Sequence, residues 1–176
     1  SARIGRVKSD FQSKDLLDSQ GNRAKYDAKS AYYGLHLGAG YIWKLSDAAD
    51  LDFYGKVFWT RREGDKVRLS TGDEVKFDAV DSQRLRIGAR YSKNLNTSTR
   101  LYAGLAGEQE FDGEAKAKTH GYAIKSPDLK GFTTIGELGL TLTPARNKAL
   151  TLNVGLQGYA GKREGVTGTA RVNYAF

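Results

Sequence analysis

The last twelve residues, GVTGTARVNYAF, alternate with a period of two. Val166, Gly168, Ala170, Val172, Tyr174 and Phe176 fall on one side, and Thr167, Thr169, Arg171, Asn173 and Ala175 on the other. Successive side chains of a β-strand point to opposite faces, so this segment is a strand whose two faces meet different surroundings. The pattern recurs along the chain in about eight segments: ARIGRVKSDF, SAYYGLHLGAGYIWKL, LDFYGKVFWTRR, AVDSQRLRIGARYSK, TRLYAGLAGEQEFD, FTTIGELGLTLT, ALTLNVGLQGYA and the closing strand. Polar or glycine-rich stretches separate them and none has a helical period, which predicts an all-β, antiparallel up-and-down fold.

The connections alternate in length. Long polar loops are expected around residues 12–28, 63–78 and 113–131, and short turns at SDAA, NLNTS and TPARNK, with GKREG closing the last hairpin. Long connections at one end and short ones at the other are the habit of outer-membrane barrels, whose long loops are extracellular and whose tight turns are periplasmic. Both chain ends then lie on the periplasmic side.

Which face meets lipid follows from the aromatics. One face carries Leu35, Leu37, Val57, Ile87, Leu105, Leu138, Leu140, Leu152 and Val154, while the other carries His36, Lys56, Arg86, Arg90, Glu110, Asn153 and Gln157. On the apolar face, Trp43, Phe53, Tyr91, Tyr174 and Phe176 fall near the turn end, and Tyr33, Trp59, Phe111 and Phe132 near the long-loop end. Two aromatic girdles flanking an aliphatic band mark a lipid-facing surface, and a packed core has no reason to sort its aromatics by height. Mean hydropathy is −0.55 and no run approaches the roughly 20 apolar residues of a membrane helix. Neither fact argues against a membrane barrel, because only alternate strand residues face lipid.

The formal charge of +8 raises the question of nucleic acid, but the basic residues are scattered and form no block with interleaved aromatics. Cysteine is absent, so there is no disulfide, thiol nucleophile or thiolate metal site, and no metal-ligand spacing stands out. The first residues, SARIGRVK, include neither an initiator methionine nor a signal segment, so a mature or excised piece is expected.

QRLRIGARYSKN, LYAGLAGEQEFDG, TIGELGLTLTP and LQGYAGKREGVTGTARVNYAF resemble, in order, the closing strands of the autotransporter β-domain. The final strand ending in phenylalanine also resembles the outer-membrane signal read by the barrel-assembly machinery. The resemblance covers most of residues 30–176. It implies an outer-membrane barrel of a Gram-negative bacterium that anchors an N-terminal passenger and assists its export, with Val172, Tyr174 and Phe176 as the assembly signal. The family's barrel has twelve strands and a linker helix in the pore. Residues 1–176 are therefore expected to be its C-terminal part, without the first strands and the helix. A self-contained eight-stranded barrel with structural or adhesive loops is the alternative, its interior filled by side chains.

Catalysis is not expected. The two histidines, His36 and His120, fall in a strand and in a long loop, and the nearby acids Asp78, Asp81 and Asp112 are loop residues. No cofactor is implied. The polar face suggests instead a layer of charges braced across the lumen. Setting Leu142 opposite Leu150 places Glu137 opposite Gly155 and then Gly155 opposite Arg171, while the middle hairpin places Arg84 across from Glu108. Arg84, Glu108, Glu137 and Arg171 would then share a layer, because charges removed from water require partners.

Overall fold

A computed structural model describes residues 1–17, 20–124, 128–145 and 148–175. Phe176 lies outside the described residues. The chain forms β1 (Ala2–Leu17), β2 (Arg23–Ser46), β3 (Ala49–Arg62), β4 (Asp65–Arg68), β5 (Glu74–Phe77) and β6 (Val80–Asn94). It continues through β7 (Thr99–Glu110), β8 (Ala117–Thr119), β9 (Tyr122–Ile124), β10 (Gly131–Leu142), β11 (Leu150–Gly161) and β12 (Gly165–Tyr174). The eight long strands form one sheet in the order β1-β2-β3-β6-β7-β10-β11-β12, and the four short ones form a second, β4-β5-β8-β9. The eight alternating segments of the sequence are the eight long strands, and the fold is all-β and antiparallel as expected.

Two expectations about the loops need correction. The stretch 12–28 is mostly strand: β1 runs on to Leu17 and β2 starts at Arg23, paired through Gln12 opposite Lys25 and, past an irregularity, Leu17 opposite Arg23. The loops at 63–78 and 113–131 contain the whole second sheet. Its strands form because Val67 faces Val75 across β4 and β5, and both are buried with Ala28 beneath Tyr26, Leu69, Phe77 and Ala117. The β8–β9 turn needs two residues in the left-handed region, which His120 (φ 49°) and Gly121 (φ 81°) supply.

Two compact units make up the chain. The first comprises Ser1–Leu37, Phe58–Arg84 and Glu110–Lys130, and the second Gly38–Val57, Leu85–Gln109 and Gly131–Phe176. The second sheet, with its small apolar core, belongs to the first unit. In the second unit β10 pairs with β11 from Leu142 opposite Leu152 to Thr133 opposite Gly161, and β11 pairs with β12 from Leu150 opposite Tyr174 to Tyr159 opposite Gly165.

Candidate functional site

Within the second unit the usual order of burial is reversed. Along β7, Leu101, Ala103 and Leu105 are exposed, whereas Ala106 and Glu108 are buried. Along β10, Phe132 and Leu138 are exposed, whereas Thr133, Ile135 and Glu137 are buried. Leu105 is 69% and Leu138 59% accessible, against 2% for Glu108. In water, burying a carboxylate while exposing leucines is unfavourable on both counts. The arrangement becomes favourable only where the exposed face meets hydrocarbon.

The buried acids are held by arginines: β6, adjacent to β7, supplies a partner for Glu108, and Arg90 of β6 reaches Glu137 on β10, two strands away in the sheet order. Glu108 accepts a hydrogen bond from Arg86 Nε at 2.8 Å, and its other oxygen lies 2.7 Å from a guanidinium nitrogen of Arg163 in the β11–β12 connection. Arg163 also places its guanidinium over the Tyr159 ring, and its backbone N–H donates to Thr133 Oγ1 at 3.1 Å. Glu137 is gripped at both oxygens by Arg90, at 2.7 and 2.9 Å, and takes a third bond from Gln157 at 3.0 Å. Arg90 in turn lies over the Tyr102 ring, and Arg100 pairs with Asp50. In the first unit Glu110 accepts from Ser82 Oγ at 2.6 Å and from the Gln83 N–H at 2.8 Å, with Arg84 at 3.6 Å.

The ladders correct the expected registers of the last two hairpins, each by two residues. Glu137 stands opposite Gln157, not Gly155, and Arg171 stands opposite Asn153, not Gly155. Arg86 is an ion-pair partner of Glu108, at 2.7 Å. Glu137 therefore meets Arg90, not Arg171. Arg171 lines a polar concavity of about 770 Å³ with Asp50, Asp52, Arg100 and Asn153. Gly155 has another use. It faces Gly139 across the ladder, and a Cβ on either would collide with the Tyr102 hydroxyl. The role of Arg86 escapes a sequence reading because Arg84 and Arg86 share a face two residues apart, and those of Arg90 and Arg163 escape it because Arg90 lies two strands from Glu137 and Arg163 lies in a connection.

Trp43, Phe53, Tyr91, Val172 and Tyr174 of the second unit are exposed on the apolar face, as is Phe132; in the first unit Trp59 and Phe111 are exposed and Tyr33 is half-buried. His36 stacks on Phe58 at 4.6 Å. His120 has Thr119 Oγ1 at 3.3 Å from Nδ1 and Asp73 at 3.6 Å from Nε2. The Thr119 hydroxyl, however, donates to the Glu74 carbonyl at 3.0 Å, so its proton is not aimed at the imidazole. That trio is an exposed turn contact rather than an activated nucleophile. Among the described residues no group of His, Cys, Asp and Glu could hold a metal ion, and no helix is long and apolar enough to cross a membrane.

An antiparallel sheet with an exposed apolar face and buried, ion-paired charges defines a membrane β-barrel protein. The autotransporter beta-domain family matches residues 1–170 of this chain, which belongs to that family. The family is one of Gram-negative outer-membrane translocator barrels rather than catalytic domains. No curated protein matches the chain.

Proposed function

We propose that this chain anchors an N-terminal passenger in the outer membrane and assists its export to the cell surface. The observation that carries the reading is the reversed burial of the second unit, leucines out and arginine-paired glutamates in. Trp43, Phe53, Tyr91 and Tyr174 sit at one membrane interface, and Tyr33, Trp59, Phe111 and Phe132 at the other, where amphipathic rings are favoured. The second sheet then lies in the extracellular loops. Glu108, Glu137 and Arg171 of the second unit, and Arg84 of the first, act as polar lining residues in this reading.

The barrel-assembly machinery is the proposed partner of β12. Strands cannot enter lipid singly, since each unpaired backbone group there costs several kcal/mol, so a templated edge is required. Val172 and Tyr174, exposed on the apolar face of β12, together with Phe176 give such a template its anchors, while strand addition supplies the hydrogen bonds.

The test joins a folded reporter ahead of Ser1, behind an export signal, and adds protease to intact Gram-negative cells. A cell-bound, protease-accessible reporter is expected. A reporter degraded only after the outer membrane is permeabilised refutes export.

A further inference from the structure

The first unit contains a cavity that the translocator role does not use. It has a volume of about 700 Å³, within the range of roughly 300–1,000 Å³ typical of small-molecule sites. Its apolar lining comes from Phe11 and Tyr26 of β1 and β2, Val75, Phe77 and Ile124 of the second sheet, and Leu69 just after β4. The Phe11 and Tyr26 rings stack with centroids 5.2 Å apart, and the Phe77 ring follows Tyr26 at 5.6 Å. Three rings in series offer apolar area and electron-rich faces, the surroundings that favour a cation carried on an apolar body.

Carboxylates outnumber permanent cations at the cavity. Four carboxylates line it, Glu63, Asp65, Asp73 and Asp78, against two permanent cations, Arg62 and Lys116. Glu63 is ion-paired with Arg61 at 2.9 Å and Asp78 with Lys76 at 3.8 Å. Lys116 is held 3.1 Å from Glu114, outside the lining, and Arg62 donates to Ser30 and Ser9. Asp65 is met by the backbone N–H groups of Lys29 and Lys66, at 3.0 and 2.8 Å. Asp73 is met by the Thr71 hydroxyl at 2.8 Å and the His120 ring at 3.6 Å. Among the described residues these two carboxylates are therefore met by backbone N–H groups, a hydroxyl and an imidazole rather than by a lysine or arginine.

We propose that this cavity binds a small organic cation with an aromatic or aliphatic body, its body against Phe11, Tyr26 and Phe77 and its charge toward Asp73 and Asp65. An anion of the same shape would place its charge beside two carboxylates that have no lysine or arginine partner among the described residues, where like charges repel.

The probe is (2-naphthylmethyl)trimethylammonium, titrated calorimetrically into the whole chain in phosphocholine bilayer discs, with empty discs subtracted. 2-Naphthylacetate is the comparison. The cation is expected to bind saturably, one per chain and at least about tenfold tighter than the anion. Asp73→Asn, which keeps an acceptor for Thr71, narrows that difference. Ala117→Phe, which fills the cavity, removes binding of both. Absence of saturable cation binding, equal affinity for the two probes, unchanged discrimination in Asp73→Asn, or undiminished binding in a folded Ala117→Phe variant each overturns the proposal.

Discussion

Removing the Glu108 carboxylate tests whether buried charge pairing holds the second unit together. Glu108 is 2% accessible and serves two guanidinium groups, Arg86 on β6 and Arg163 on the β11–β12 connection. Their side chains differ in solvation: Arg86 is 16% and Arg163 34% accessible. In Glu108→Ala both cations lose the Glu108 carboxylate and repel each other. Arg163 can turn to water, which limits its share to about 1 kcal/mol. Arg86 has less water to reach, and breaking a buried pair from one side costs about 3–5 kcal/mol. The expected loss is therefore about 3–5 kcal/mol, with Arg163→Ala alone costing about 1 kcal/mol. Because much of the cost is that of an arginine deprived of the Glu108 carboxylate, Glu108→Ala combined with Arg86→Met should recover at least half of it. The assay is guanidinium chloride unfolding in phosphocholine vesicles, followed by tryptophan emission. A loss below about 1 kcal/mol for Glu108→Ala, or a double variant no more stable than the single one, refutes the reasoning.

Two further perturbations address the register. A double-mutant cycle between Arg90 and Glu137 should give a coupling of about 1–3 kcal/mol, and one between Arg171 and Glu137 a coupling near zero; the reverse order would restore the displaced pairing. Gly155→Ala drives a methyl into the Tyr102 hydroxyl and should cost about 1–3 kcal/mol, with Tyr102→Phe relieving much of it. Gly139→Ala also meets the Val154 carbonyl and should not be relieved, so equal rescue at both glycines would contradict the geometry.

The sequence made the eight long strands and their faces legible because alternation is a local property. Each of Leu105, Glu108, Leu138 and Glu137 could be assigned to a face by parity alone. Register is not local. Shifting β10 against β11 by two residues leaves every side chain on its own face, so Glu137 opposite Gly155 and Glu137 opposite Gln157 satisfy the same pattern. Turn length decides between them, and TPARNK carries no residue pair that fixes a turn type. The second sheet was hidden for another reason. Strands of three or four residues, such as DKVR and AKT, are too short to establish a period, and their core is completed by Ala28 and Tyr26 from a segment more than thirty residues earlier. The extension of β2 does alternate, with Arg23, Lys25, Asp27 and Lys29 on one side and Ala24, Tyr26 and Ala28 on the other, but its apolar side is mostly alanine, which gives a weak hydrophobic signal.

The central claim, that the exposed apolar face meets lipid, is tested most directly by the two tryptophans. Trp43 is 55% and Trp59 36% accessible, both on that face and in different units. Single-tryptophan variants made with Trp43→Phe or Trp59→Phe, in vesicles of lipids brominated at shallow or deep acyl positions, report contact and depth by fluorescence quenching. A Tyr102→Trp variant lacking both native tryptophans reports the polar face. The account predicts strong quenching of Trp43 and Trp59, greater for the shallow bromines, and little quenching at position 102. Unquenched native tryptophans, or equal quenching at position 102, would contradict it.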